Sequence, residues 1–295
     1  NMDFGNHTAE VLVEALPYIK KFYGKTIVIK YGGHAMIDKK MREKVISDIV
    51  LMRYVGMNPI LVHGGGPDIN YWLEKENYQS KFIDGLRVTD QEVLEIAQMV
   101  LIGKVNQEIV ALIQKHGGKA VGLSGIDGGT IQAKKKLHYD KNNQPVDLGF
   151  VGEITEIKPE LIDNALAKEY IPVISPIGLD ENGGRYNING DTAAAAVAAA
   201  LKADKFFLLT DTDGILDADG KRISKVTNEL VDQMEKDGTI YGGMIPKVNC
   251  CKYAVENGVQ SAHIINGQTM HSLLLELFTD DGVGTMFIGG KNNGK

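Results

Sequence analysis

Repeatedly along this chain a run of strand-type residues stops on a glycine turn and gives way to helical spacing. "KTIVIKYGG" precedes the helical "KKMREKVISDIVLMRYVG", "NPILVHGGGPDI" leads into "NYWLEKEN", and "IPVISPIG" lies upstream of "DTAAAAVAAALKA". "KFFLLTDTDGIL" is a further strand and turn, and "GVQSAHIING" leads into "MHSLLLELF". Strands that alternate with helices imply an α/β fold with a parallel sheet and helices on its faces. Ligands in such sheets lie at the carboxyl ends of the strands, which is where these glycine turns fall. The turns are therefore expected to face one cleft.

The middle of the chain is different. "GGKAVGLSGIDGGTIQAKKKLHYDKNNQPVDLGFVGEITEIK" reads as a strand followed by hairpin excursions around "KNNQPVD", before a helix over "PELIDNALAK". A boundary between two lobes is expected near "NGGRYNINGD", giving 25–188 and 189–295. A chain of 295 residues is long enough for either one large domain or two lobes around a cleft.

The net charge of −6 argues against nucleic acid as a partner, because binding a phosphate backbone needs a concentrated basic face. Any anion must be caught by local geometry. Cys250 and Cys251 are adjacent in a helical stretch, where neighbours point about 100° apart, so neither a disulfide nor a shared metal site is expected. No apolar run approaches the roughly 20 residues of a membrane span, and no signal-peptide layout is seen, so a cytoplasmic protein, or the mature form of an organellar one, without a membrane is expected.

Lys30 ends the strand of "TIVIKYGG" at the mouth of the Gly32-Gly33 turn, and paired glycines let backbone approach a ligand closely. "HGGGPD" follows a strand and opens a helix, where free backbone N–H groups favour a phosphate or carboxylate. A Walker-type loop fails, since Ile19 stands where "GKT" at Gly24–Thr26 would need a glycine, and no GxGxxG opens a helix. "YGGMIPKV" sets Lys247 near another helix start, "NINGD" supplies Asn187, Asn189 and Asp191, and "TDTDG" supplies Asp211 and Asp213. Asp191 is the ordinary N-cap candidate for the alanine-rich helix, and the "TDTDG" aspartates could equally just shape a turn. Two lysines, an organising carboxylate and glycine turns form the inventory that phosphoryl transfer asks for, because charge spreads over the moving oxygens and catalysis is mostly positioning and electrostatics.

In order along the chain, "IVIKYGG", "LVHGGGPDIN", "DGLRVTD", "YNINGDTAAAAVA", "LLTDTDGIL" and "GGMIPKV" resemble the N-acetyl-L-glutamate kinases, a branch of the amino acid kinase family, from about Thr26 to Met286. The resemblance implies a three-layer αβα sandwich in which the N-terminal lobe holds the acyl amino acid and the C-terminal lobe holds ATP with Mg²⁺. It implies ATP-dependent phosphorylation of the γ-carboxylate of N-acetyl-L-glutamate. Lys30 and Lys247 would stabilise the moving phosphoryl group, and Asp191 would hold both lysines. Gly32 and Gly33 would serve the nucleotide phosphates together with Asp211 and Lys247, and Gly65 and Gly66 the acceptor. Arg87 would pair with the substrate α-carboxylate, and Asn187 with the acetamido group or that carboxylate. No protein side chain is expected as a metal ligand. Sister enzymes acting on acetyl-aminoadipate, glutamate, aspartate, carbamate or a nucleoside monophosphate share the fold, and a catalytically idle arginine sensor is a reading of a different class.

Ahead of the first strand, "HTAEVLVEALPYIKKFYG" carries Val11, Ala15, Tyr18 and Phe22 on one helical stripe, with Thr8 as its cap and Pro17 as the site of a kink. The resemblance implies that residues 1–24 interlace dimers into a homohexamer inhibited by L-arginine, which would be bound among Tyr18, Lys205, Glu276 and Gly284. It also names a PII-type signalling protein as a partner in photosynthetic relatives. One stretch departs from the family pattern: "INGQTMHS" stands where "Arg-Val-Pro" is more usual before His271.

Overall fold

The computed structural model describes residues 2–289. Its centre is an eight-stranded sheet made of β1 (Thr26–Tyr31), β2 (Asn58–His63), β3 (Ala120–Ser124), β4 (Ile171–Ser175), β5 (Lys205–Thr210), β6 (Lys225–Thr227), β7 (Ser261–Asn266) and β8 (Thr285–Ile288). The spatial order is β6-β8-β7-β5-β1-β2-β4-β3, and the β7–β8 pairing is the one antiparallel step. The other neighbours run parallel, so the α/β class and the mainly parallel sheet expected from the strand–helix alternation are what the chain adopts.

Strand sequences such as "TIVIKY" and "NPILVH" are apolar almost throughout because both faces of the sheet are covered. Ile27, Ile29 and Tyr31 of β1 join the core on one face with the helices Lys39–Tyr54 and Ser272–Phe278. Val28 joins the core on the other face with Ala193, Ala194 and Ala195 of the helix Gly190–Ala200. Side chains alternate along a strand, so Lys30 is in phase with Val28 and faces that alanine-rich helix. Small side chains let the helix axis come close to the sheet.

A second, four-stranded sheet forms from the middle of the chain, in the order Arg185–Asn187, Ile177–Leu179, Ile131–Lys135, Gly152–Ile157. Two short hairpins, Phe82–Ile83 with Leu86–Arg87 and His138–Tyr139 with Pro145–Val146, stand beside it. Both cysteines are free, in agreement with the expectation from their adjacency.

Two expectations need correction. Asn189, not Asp191, caps the alanine-rich helix: its side chain accepts from the Thr192 N–H at 3.1 Å, which places Asp191 inside the first turn with its carboxylate unspent on capping. The N-terminal helix Met2–Phe22 starts upstream of Thr8 and continues through Pro17, so Thr8 is not its cap. The segment Gln91–Lys115 is one long helix whose middle, Met99–Asn106, is π-helical, and by length and composition it could cross a membrane. It is instead a core helix, with Val93, Ala97, Leu101, Val105, Ile109 and Ile113 buried against the sheet.

Candidate functional site

Lys30 leaves the end of β1, Asp191 the first turn of Gly190–Ala200, and Lys247 the first turn of the helix Met244–Glu256. The three meet. Lys30 Nζ lies 2.9 Å from Asp191 Oδ1 as an ion pair, and Lys247 Nζ donates to Asp191 Oδ2 at 3.0 Å. Oδ1 has no hydrogen bond of good geometry, so the carboxylate holds Lys30 by charge and Lys247 by charge and alignment together. Burial works to raise the Asp191 pKa, but the two ammonium groups outweigh it and hold the carboxyl at about 2. Two cations share one anion here, so the cluster carries an excess positive charge into which a further anion fits.

Glycines make this crowding feasible. A Cβ at position 32 would lie 2.7 Å from Lys30 Nζ, and one at position 190 would lie 3.0 Å from Lys30 Cε. Gly33 has φ +65 and turns the chain past Asp211, whose Oδ1 would be 3.3 Å from a Cβ there. Asp211 therefore stands at the mouth of the first glycine turn, at the C-terminal end of β5.

A cavity of about 200 Å³ opens beside the cluster, lined by Lys30, Gly64, Gly65, Gly66, Arg87, Asn187 and Asp191, with apolar walls that include Phe82, Leu101 and Val151. Arg87 is 7% exposed. Its Nη1 donates to Ser80 Oγ at 3.0 Å and its Nη2 to the Gly66 carbonyl at 3.3 Å, and the guanidinium lies over the Phe82 ring, 4.6 Å from its centroid. Both of these hydrogen-bond acceptors are neutral, and burial lowers its pKa to about 10. A buried guanidinium of this kind suits a carboxylate arriving from outside. The Asn187 amide is near Thr89, Nδ2 to Oγ1 3.4 Å, and it too lines the cavity.

Lys205, Glu276 and Gly284 come together elsewhere, at the opposite ends of β5 and β7, while Tyr18 reaches Asp280 and Phe278 instead. Lys205 Nζ donates to Ser261 Oγ at 3.0 Å and to His263 Nε2 at 2.9 Å, and His263 Nδ1 donates to Glu276 Oε1 at 2.8 Å. Glu276 Oε2 accepts from the Gly284 N–H at 2.9 Å. Tyr18 bonds Asp280 at 2.9 Å and meets Phe278 edge to face. Burial, followed by the charge of Lys21, lowers the Lys205 pKa to about 8, and burial likewise lowers that of His263 to about 4. In the "INGQTMHS" stretch, His271 adopts φ 57 at the start of the Ser272–Phe278 helix and its Nδ1 is 2.6 Å from Asp48 Oδ1.

Sequence reasoning did not single out Phe82, Gly190, or the buried trio of His63, Asn106 and Ser175 behind the second glycine turn. "HGGGPD" put His63 in view, but nothing periodic marks Asn106 or Ser175.

The amino acid kinase family matches residues 25–266 of the chain. The acetylglutamate kinase of Carboxydothermus hydrogenoformans is 57% identical over 285 residues, covering 94% of this chain and 96% of that protein. Among solved structures, the N-acetylglutamate synthase of Neisseria gonorrhoeae complexed with coenzyme A and N-acetyl-glutamate superposes with a TM-score of 0.84 at 26% identity, over 95% of this chain and 63% of that one. The same synthase complexed with coenzyme A and L-arginine gives 0.80 at 25% identity, over 94% of this chain and 64% of that one.

Proposed function

The chain belongs to the amino acid kinase family and is a kinase, and from that premise we propose that it transfers the γ-phosphoryl group of ATP to the γ-carboxylate of N-acetyl-L-glutamate, in arginine biosynthesis. The observation that carries the reading is the convergence of Lys30 and Lys247 on Asp191 beside a cavity that ends in Arg87. In this reading the lysines stabilise the phosphoryl oxygens from two sides, while Asp191 keeps both ammonium groups in place. Arg87 pairs with the α-carboxylate of the acceptor, Asn187 meets its acetamido group, and the apolar walls take the acyl methyl. Gly65 and Gly66 offer N–H groups to the acceptor end, and Gly32 and Gly33 to the nucleotide with Asp211. The attacking carboxylate is already ionised near neutral pH, with a reference pKa of about 4.3, so no general base is required.

A kinase uses ATP with a divalent cation, for which we propose Mg²⁺. The described residues contain no cluster of three or more potential ligands, so they fit a cation carried on the phosphates, with Asp211 near its path. Such a cation would neutralise phosphate charge during transfer.

The finer parts of the reading are a C-terminal nucleotide lobe from residue 189 and an N-terminal substrate lobe from residue 25, a homohexamer built through residues 1–24, a cytoplasmic location, inhibition by L-arginine and relief by a PII-type protein. Arginine inhibition is supported by the linkage of Lys205, Glu276 and Gly284 through His263, since Glu276 is a buried carboxylate suited to a guanidinium.

The test is ADP release across N-acetyl-L-glutamate, N-acetyl-aminoadipate, glutamate, aspartate, carbamate and UMP, with hydroxylamine to trap acyl phosphate, each with and without arginine. Hydroxamate formed with N-acetyl-L-glutamate and suppressed by arginine supports both the catalytic and the regulatory parts. Turnover with another acceptor reassigns the substrate. Silence with all of them in folded protein that still binds arginine would make the chain a sensor.

A further inference from the structure

His63 ends β2 and stands directly before Gly64-Gly65-Gly66. It is fully buried, and burial together with the nearby Lys30 charge lowers its pKa to about 4. The imidazole is neutral at physiological pH, and its contacts choose the tautomer. Nδ1 lies 2.8 Å from the Gly64 carbonyl, which can only accept, so Nδ1 carries the proton. Nε2 then accepts, from Asn106 Nδ2 at 3.2 Å and from Ser175 Oγ at 2.9 Å, the shorter of the two contacts open to that hydroxyl, the Leu101 carbonyl being 3.3 Å away. The Asn106 amide is oriented by a second bond from Nδ2 to the Val173 carbonyl at 2.9 Å.

Asn106 is the last residue of the π-helical stretch Met99–Asn106. Such a stretch widens the helix by one residue and re-aims its side chains. From the same stretch Leu101 packs on Gly65, where a Cβ would meet Leu101 Cδ2 at 2.6 Å. The helix thus braces the glycine turn at two points, one polar and one apolar.

A trans peptide is planar, so its carbonyl and its N–H point in opposite directions. There are no cis peptides among the described residues. With the Gly64 carbonyl drawn to the buried imidazole, the Gly65 N–H is turned away from the core. Gly64 and Gly65 line the cavity beside Lys30.

We propose that His63, held in its Nδ1–H tautomer by Asn106 and Ser175, is a positioning residue that locks the Gly64–Gly65 peptide so that the Gly65 N–H, at the acceptor end of the cavity, donates to an oxygen of the phosphoryl group in transit. The proposal rests on the reading of the cavity as the transfer site. A preorganised donor acts at the transition state more than on the bound substrates, so its loss falls on kcat.

The experiment uses full-length protein with ¹⁵N-labelled histidine. Two-bond ¹H–¹⁵N spectra at pH 7 report the tautomer of His63, its signal assigned by loss in His63→Asn. The wild type is expected to show Nδ1–H, and finding Nε2–H overturns the proposal without any activity measurement. Asn106→Asp replaces a donor to Nε2 with an acceptor and is expected to move the proton to Nε2. In that variant kcat should fall about ten- to a hundredfold, with KM for ATP within about twofold and affinity for ADP with aluminium fluoride falling alongside kcat. His63→Asn retains an amide donor near the Nδ1 position and should keep more activity than His63→Leu. A switched tautomer with unchanged kcat, or a kcat loss that tracks only the fraction unfolded by circular dichroism, overturns the proposal. If the wild type phosphorylates none of the acceptors, the reading of the cavity fails instead, and the tautomer result stands apart from it.

Discussion

Lys30 and Lys247 stand on the two oxygens of a single carboxylate, one delivered by the central strand of the sheet and the other by a helix far along the chain. Neither ammonium could be held so near the other without Asp191 between them.

Asp191→Asn removes that anion and leaves two partly buried cations facing each other. Breaking a buried pair costs on the order of 3 kcal/mol, so the urea midpoint should drop clearly at pH 7. The folded pKa of about 2 is below the ordinary 3.8, so the stabilisation is complete above 3.8 and disappears as pH falls towards 2. The gap between parent and variant in urea melts should therefore narrow across that acid window. A gap that holds constant there would contradict the pairing.

Arg87→Lys keeps a charge but loses the planar fork. If Arg87 binds the acceptor carboxylate, KM for N-acetyl-L-glutamate should rise about ten- to a hundredfold while KM for ATP changes little, as expected for losing a charge-assisted bond. Equal rises in both would place Arg87 outside the acceptor site.

Gly32→Ala is a steric probe of the same cluster, because the added Cβ would arrive 2.7 Å from Lys30 Nζ. The ammonium is the end of a flexible chain and can move aside without the backbone yielding, so the loss is confined to its pairing with Asp191 and stability should fall less than in Asp191→Asn. Activity should fall at least tenfold as Lys30 leaves its place. Unfolding rather than slow turnover in the variant would show that backbone, not the lysine, had yielded.

Lys205 is charged in surroundings that disfavour charge, which lowers its pKa from 10.5 to about 8. Below pH 8 both folded and unfolded chains carry the proton and the folded one bears the penalty. Between 8 and 10.5 the folded chain sheds it first, so the penalty fades as pH rises. Lys205→Met should accordingly be more stable than the parent at pH 7, by on the order of 2 kcal/mol, with the advantage shrinking towards pH 10. Thermal melts at a series of pH values read this directly.

The N-terminal helix exposes Leu12 and Val13 at 63% and 70%, while the end of the same helix buries Phe22. An apolar face left open along its middle turns is what an interlaced assembly would cover. Deleting residues 1–22 should lower the mass seen by light scattering, and an unchanged mass would remove this helix from the assembly.

The sheet was readable because strand and helix periods alternate so regularly, and because glycines mark the strand ends where ligands lie. Lys30 could be placed from β1 alone, as a cation at the end of an apolar strand. The capping role went to Asn189 rather than Asp191 because both sit at the helix start with suitable side chains, and only the positions of the lysines decide between them. Behind the second glycine turn, His63 and Ser175 are 112 residues apart and His63 and Asn106 are 43 apart. No local pattern encodes contacts at those separations. The π-helical stretch is equally silent, since its residues read as an ordinary apolar helix.

The alanine-rich helix bears on evolution as well as on packing. Its core alanines Ala193, Ala194 and Ala198 carry no functional group, yet they are spacers that set how far Asp191 stands from the strand bearing Lys30. A longer side chain at Ala193, Ala194 or Ala198, which are enclosed in the core, would shift the helix by more than the tolerance of a 2.9 Å ion pair. The tightest limits on drift in this protein therefore extend to residues whose only property is to be small.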